Sequence, residues 1–126
     1  MTIIKTNIDT TDKRQIYRMT KGESNKIDGL ERGLSLPVDL WCLYVEEKER
    51  KKQDGSVETI QENVLTFTSG PHKFGTISAT FIRSFLEIVE IMEDEPFAIL
   101  ITGGETKSGR HYVNCEMDCD FQPPAA

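Results

Sequence analysis

Two predicted loops of this 126-residue chain concentrate cationic side chains. The cations are Lys48, Arg50, Lys51 and Lys52 in the first loop, and Lys107 and Arg110 in the second. Ammonium and guanidinium groups placed in this way can contact phosphate oxygens. Gly109 lies within the second loop and permits a close approach of its backbone. The first loop also carries Glu46, Glu47 and Glu49, so a solvated hairpin tip is the alternative interpretation there.

Aromatic residues on the predicted strands add a second kind of chemistry, because a flat ring can stack on any nucleic-acid base. The candidates for stacking are Trp41, Phe67, Phe74 and Tyr112, with Lys73 beside Phe74 as a further cation. Core packing is the alternative for Phe67 and Phe74, and packing under the N-terminal segment is the alternative for Trp41. Tyr44 shares its strand parity with apolar residues, which favours the core for its ring.

Residue types that could serve catalysis or metal binding lack the spacing that either requires. His72 and His111 have no serine or cysteine arrangement beside them that suggests a triad. The three cysteines, Cys42, Cys115 and Cys119, form no CxxC pair and have no paired histidines. We therefore expect buried reduced thiols in a cytoplasmic protein that is not an enzyme, binds no metal and needs no cofactor.

The charge of the chain is divided unevenly along its length. The formal net charge is −6. Residues 80–95 hold one arginine and five acids, and residues 115–126 hold three acids and no base, whereas residues 1–34 carry seven bases against five acids. The acidity thus lies in one predicted helix and in the tail, so an acidic total does not exclude a phosphate-binding surface elsewhere.

Five strands and one helix must position these side chains. The predicted strands are LPVDLWCLYVEE from Leu36, VETIQENVLTFT at 57–68, Lys73–Ile77, PFAILIT at 96–102 and HYVNCEMD at 111–118. The helix follows the third strand, since Ser78 or Thr80 can cap it and apolar residues then recur at three- and four-residue steps until Pro96.

Alternation along the first strand predicts which of its faces is the core. The apolar face comprises Val38, Leu40, Cys42 and Tyr44, and the mixed face comprises Asp39, Trp41, Leu43 and Val45. We expect the uniformly apolar face to be buried and the mixed face to be partly open to solvent.

The resulting order, β-β-β-α-β-β, is typical of an OB-fold, a five-stranded barrel with one helix. Another small α+β sheet with a helix on one face is the alternative. The predicted domain covers residues 36–117. We expect residues 1–35 to form a partly ordered extension, with a short strand or turn at Ile16–Met19, and residues 118–126 to form a disordered acidic tail.

Several segments carry a family resemblance. LWCLYVEE, ENVLTFTS, FGTISATFIRSFLEIVE and FAILITGGETKSGRHYVNCE resemble small single-stranded DNA-binding proteins of Gram-positive phages and conjugative plasmids. The resemblance implies an OB-fold that coats single-stranded DNA without sequence preference during replication or transfer. Partners would then be single-stranded DNA and replication or transfer proteins. We also expect self-association, and no membrane contact, because no apolar run approaches the roughly 20 residues that cross a bilayer.

A different class of function stays open from the residues. The acidic total favours a protein–protein interaction module or a DNA-mimic inhibitor of a mobile element, which would use the negative face of the helix. The basic loops favour the single-stranded DNA-binding alternative.

Overall fold

The computed structural model describes residues 1–124, which form two helices and eight strands. The elements are β1 (Thr2–Thr6), α1 (Lys13–Lys21), β2 (Asn25–Lys26), β3 (Ser35–Val38), β4 (Trp41–Lys51), β5 (Val57–Ser69), β6 (His72–Thr76), α2 (Ala79–Met92), β7 (Phe97–Glu105) and β8 (His111–Met117). A 3-10 turn covers Ile27–Gly29. The mainly β class is confirmed. Helix α1 was not predicted. It includes residues Ile16–Met19, for which the prediction of a short strand or turn was wrong.

The strands form two sheets, which meet where β3 leads into β4. The five-stranded sheet has the order β1-β4-β5-β6-β2, and the three-stranded sheet has the order β3-β7-β8. The predicted first strand is divided into β3 and β4, one in each sheet. At the division, Asp39 N donates to Thr68 O over 2.9 Å and Thr68 N donates to Leu40 O over 2.8 Å. These bonds hold the two sheets together where the chain bends.

The described strands do not close into the predicted five-stranded barrel. Within residues 1–124, β8 pairs with β7, and the free edge of β6 pairs with the short parallel strand β2 instead of with β8. The turn Ile27–Gly29 contacts both β6 and β8. Residues of the N-terminal segment therefore occupy the gap between the two sheets.

The main core lies between the sheets and α2. Phe67 is fully buried, with ring centroids 5.4 Å from Phe74, 6.1 Å from Phe81 and 5.6 Å from Phe85. Ser78 Oγ caps α2 by accepting a 3.3 Å hydrogen bond from Phe81 N. Ser78 was one of the two residues predicted to cap this helix. The apolar spacing of the helix correctly predicted the side that packs on the sheets.

The faces of β4 are used differently from the prediction. Trp41 and Leu43, on the face expected to be mixed, belong to the main core, whereas Cys42 and Tyr44 belong to a smaller core with Ile8 and Met19. All four β4 residues are at most 4% exposed. Alternation could not identify the main core because the N-terminal segment covers one face of the strand and α2 covers the other.

Segments near both ends of the described chain are attached to this framework. β1 pairs with β4, so the first residues of the predicted extension are a strand of the larger sheet. In the predicted tail, Asp118 N donates to Ala98 O over 2.9 Å and Ser35 Oγ donates to Asp118 over 2.6 Å. Residues 125 and 126 lie outside the described part of the chain. Among residues 1–124, neither helix has the length and apolar character needed to cross a lipid bilayer.

Candidate nucleic-acid interface

The first basic loop is a two-stranded arm, residues 46–62, in which β4 and β5 continue beyond the core. Gly55 has a φ of 88° in the tip of the arm, where the pair Asp54-Gly55 is typical of a hairpin turn. Acidic residues of β5 pair with the arm's cations across the strands. The pairs are Arg50–Glu58 at 2.5 Å, Lys52–Glu58 at 3.5 Å and Lys48–Glu62 at 4.0 Å. These exposed pairs add little stability, but they reduce the positive charge that the arm offers to phosphate.

Lys51 differs from its neighbours in the arm. It pairs with Val57 in the strand register, so its side chain projects from the face opposite to Lys48 and Arg50. The cations predicted as one group thus divide between two faces of the arm.

The second basic loop is a tight turn between β7 and β8. Thr106 N donates to Arg110 O over 2.8 Å, and Gly109 N donates to Thr106 O over 2.9 Å. Gly109 has a φ of 82°, which a glycine adopts at little cost. Lys107 and Arg110 are exposed, and no ion pair of theirs occurs within residues 1–124.

Tyr112 follows this turn and is the one predicted stacking residue that is exposed. It is 46% exposed and lies over Gly104, where an added Cβ would stand 3.2 Å from the tyrosine hydroxyl. The structure thus brings Lys107, Arg110 and Tyr112 together at one end of the smaller sheet.

The other predicted stacking residues are core residues, which corrects the sequence interpretation. Trp41, Phe67 and Phe74 are 4%, 0% and 6% exposed. Trp41 packs edge to face on Phe85 of α2, with ring centroids 5.9 Å apart, and belongs to the same core as Ile27 of the N-terminal segment. None of these three rings can reach a base while the core is intact, because their large apolar faces are already buried.

Helix α1 carries a cationic surface that the sequence interpretation missed. Arg14, Tyr17, Arg18 and Lys21 are exposed and occupy positions i, i+3, i+4 and i+7, so they share one face of the helix. We call these four residues the basic stripe. Tyr17 is 66% exposed, and α1 contains no acidic residue. The signal was present in the sequence, since Asp12 followed by Gln15 is a helix-start pattern and Asp12 accepts a 3.2 Å bond from Gln15 N.

Three side chains of the larger sheet hold the last turn of α1. Lys73 Nζ donates to Arg18 O, Thr66 Oγ1 donates to Met19 O over 2.8 Å, and Tyr44 Oη donates to Thr20 O over 3.2 Å. Carbonyls at the end of a helix lack partners within the helix, so these bonds from three adjacent strands satisfy them. Burial lowers the pKa of Lys73. This predicted DNA contact is therefore engaged in positioning α1.

The basic stripe lies on the same side of the larger sheet as the cations Lys48 and Arg50. Lys48 and Arg50 lie on the same face of β4 as Tyr44, because side chains alternate along a strand, and Tyr44 contacts α1. In addition, Lys21 Nζ of α1 lies 3.4 Å from Glu46 Oε1 of the arm. A cavity of about 450 Å³ opens beside α1, with Lys26, Tyr44, Val64, Thr66, Gly75 and Ile77 among its lining residues. Cations, an exposed ring and a groove thus share one side of the molecule.

The opposite side is acidic. A cavity of about 810 Å³ lies at the end of α2, where Glu90, Glu93, Asp94 and Glu95 contribute to its lining. Glu87 is also exposed on this helix. The acids of α2 thus lie on the side of the larger sheet opposite to the basic stripe.

The three cysteines differ in exposure, and the described residues bring no group of metal ligands together. Cys42 and Cys115 are buried, as expected, whereas Cys119 is exposed. Burial raises the pKa of the Cys115 thiol to about 12. Residues 1–124 contain no cluster of three or more His, Cys, Asp or Glu side chains that could hold a metal ion.

Comparisons with family models, curated proteins and solved structures find no match to this chain. The resemblance to single-stranded DNA-binding proteins therefore rests on the sequence segments quoted above.

Proposed function

We propose that this protein binds single-stranded DNA without sequence preference, along the side of the larger sheet that carries the basic stripe. The supporting observation is the exposed Tyr17 ring among Arg14, Arg18 and Lys21 on a helix without acids. A single strand presents phosphates and unstacked bases together. Cations and an accessible ring on one face can bind both, with about 1–3 kcal/mol for each stacked base.

We also propose that residues 35–117 form an open variant of the OB-fold. The order β3/β4-β5-β6-α2-β7-β8 supports it, as does the bend that lets one strand segment join both sheets. Ligands of OB-folds bind on the face of the second and third strands and at the loops after the first and fourth. Those elements correspond here to β5–β6, the arm and the β7–β8 turn.

Helix α1 changes how such a face would be used. It rests on β5 and β6 through Thr66 and Lys73, and so covers part of the surface that an OB-fold offers to its ligand. The single-stranded DNA would therefore contact the basic stripe instead of the uncovered sheet. Lys107, Arg110 and Tyr112 would extend the contact from the β7–β8 turn.

The biological setting follows from the resemblance alone. It suggests coating or protection of single-stranded DNA in phage or plasmid replication or transfer in the cytoplasm, without enzymatic activity. Replication or transfer proteins would be the partners of the coated strand.

An acidic protein-interaction module or DNA mimic is the second candidate, and the exposed Glu87 and Glu90 of α2 support it. The two candidates differ in which side of the molecule binds. Substitutions in α1 would impair DNA binding, whereas a DNA mimic would bind cationic proteins through α2 and would not bind oligonucleotides.

Fluorescence anisotropy with labelled oligo-dT at low salt tests the DNA-binding proposal. Tyr17→Ala should weaken binding about 5- to 150-fold, which corresponds to one stacked base. Arg83→Ala, an exposed substitution on α2, is the matched control and should leave the affinity unchanged. Absence of binding by wild-type protein at micromolar concentration would reject the proposal.

A further inference from the structure

The two most exposed large hydrophobic side chains described in residues 1–124 lie on different helices. They are Ile91 of α2, 71% exposed, and Tyr17 of α1, 66% exposed. Each lies among charges of one sign. Exposed apolar groups within a charged rim are typical of surfaces that bind another protein.

The surroundings of the two side chains are complementary. Glu87 lies one turn before Ile91 on the same face of α2, Glu90 directly precedes Ile91, and the exposed acids 93–95 follow the helix. We call Glu87, Glu90 and Ile91 the acidic face. The basic stripe has the same arrangement with the opposite sign, since Tyr17 lies beside Arg14, Arg18 and Lys21. One helix could therefore lie along the other with both ion pairing and apolar contact.

The two surfaces cannot meet within one molecule. Helix α1 packs over Cys42 and Tyr44 of β4, whereas α2 packs over Trp41 and Leu43 on the other face of the same strand. Because side chains alternate across a strand, the sheet separates the two helices. Contact between the surfaces therefore requires a second copy of the chain.

We propose that the basic stripe of one copy binds the acidic face of α2 on a second copy. The contact joins two different surfaces, so each added copy leaves one of each free. Such heterologous association builds an open chain or a ring rather than a symmetric dimer. The area of two short helix faces is small, and the ion pairs are exposed, so the association is weak and salt-sensitive.

This association does not depend on DNA binding, but it would regulate the proposed DNA site. The basic stripe cannot contact a neighbour's acidic face and a DNA strand at once. If the protein binds DNA as proposed, oligo-dT would therefore shorten the chains as it binds.

Analytical ultracentrifugation without DNA provides the test. At about 50 mM salt the weight-average mass should rise with protein concentration beyond that of two 14.3 kDa copies, and it should return to 14.3 kDa at about 0.5 M salt. A mass of 14.3 kDa at every concentration and low salt would overturn the proposal.

Charge reversal identifies the surfaces. Arg14→Glu with Arg18→Glu makes both surfaces acidic, and Glu87→Lys with Glu90→Lys makes the acidic face basic, so each double variant alone should be monomeric. An equimolar mixture should associate again, because each variant then meets a surface of opposite sign. Both variants keep a negative net charge, so overall attraction cannot explain restoration.

The mixture also separates loss of contact from loss of folding, since an unfolded variant could not be rescued. Association by either variant alone, or no association in the mixture, would overturn the proposed pairing of surfaces. Ile91→Ser should lower the association, whereas Val57→Ser, which removes a 57% exposed side chain from the arm, should not. Equal effects of these two substitutions would indicate non-specific hydrophobic contact and would contradict the proposal.

Discussion

The hydroxyl group of Thr66 in β5 donates a 2.8 Å hydrogen bond to the backbone carbonyl oxygen of Met19 in α1. Both residues are buried, at 3% and 2% exposure. The bond fixes the inner side of α1 on the sheet and thereby leaves the basic stripe facing outward. The position of the candidate DNA-binding helix thus depends on a polar contact inside the protein.

Thr66→Val should weaken the attachment of α1. The substitution keeps the shape of the side chain but leaves the Met19 carbonyl without this donor, so we expect a loss of about 1–3 kcal/mol in the free energy of unfolding. Urea denaturation measures it. Thr59→Val, in the exposed arm, is the matched control and should change stability by less than about 0.5 kcal/mol. Equal stability of both variants would show that the buried bond has no net effect.

Stability should fall at alkaline pH because of Tyr44. Burial, and secondarily Glu46 and Cys42, raise the pKa of its hydroxyl to about 12 in the folded protein. The unfolded chain releases this proton near pH 10, whereas the folded protein keeps it until about pH 12. The contribution of Tyr44 to the free energy of unfolding is therefore present below pH 10 and is lost as the pH rises toward 12. The buried thiol of Cys115 acts in the same direction. Tyr44→Phe should reduce the alkaline loss, measured by denaturation at several pH values, with the exposed Tyr17→Phe as control.

Phe67→Leu should alter stability and leave DNA binding alone. The ring is buried among three other phenylalanines, so we expect a loss of about 1–3 kcal/mol in unfolding free energy. The affinity of the folded protein for oligo-dT should equal that of the wild type, measured well below the melting temperature. A weaker affinity of the folded variant for oligo-dT would contradict this prediction and show that Phe67 contributes to DNA binding.

The basic stripe should determine the salt dependence of DNA binding. Arg14→Ala and Arg18→Ala each remove a proposed phosphate contact, and each should reduce the slope of log affinity against log salt by about 0.7. Anisotropy titrations at four or five salt concentrations measure the slope. A slope unchanged in both variants would place the phosphates elsewhere on the protein.

The β7–β8 turn can be tested separately. Lys107→Ala with Arg110→Ala should weaken oligo-dT binding and reduce the salt slope by about 1.4, because two further cations are lost. Their side chains are exposed, so thermal stability should stay close to that of the wild type. Unchanged affinity would remove this turn from the proposed interface.

Local patterns were sufficient for the elements between residues 57 and 117. The predicted second strand, residues 57–68, corresponds to β5 at Val57–Ser69, and the helix after Ser78 corresponds to α2. The helix has a strong periodicity, since its apolar residues recur at three- and four-residue steps, whereas the strand is rich in β-forming residues and bounded by turn residues. The turn in the arm likewise depends on a local residue, because Gly55 accepts a φ of 88° at little cost.

The N-terminal segment was misread for a physical reason. Ile16 and Met19 carry the apolar side of α1 with little other hydrophobic area, and so short a helix is marginal in isolation. Its stability comes from bonds to residues distant in sequence. Thr66 lies 47 positions from Met19, and Tyr44 lies 24 positions from Thr20.

The sequence by itself determined the mainly β class, the helix after the third predicted strand and the turns that carry Lys107 and Arg110. Only the tertiary structure decided which aromatic rings are accessible and where the cations gather. Docking of α1 on the sheet covers Tyr44, and packing of α2 buries Trp41 and Phe67. Alternation states which residues share a face of a strand, but what covers that face depends on segments that meet only when the chain folds.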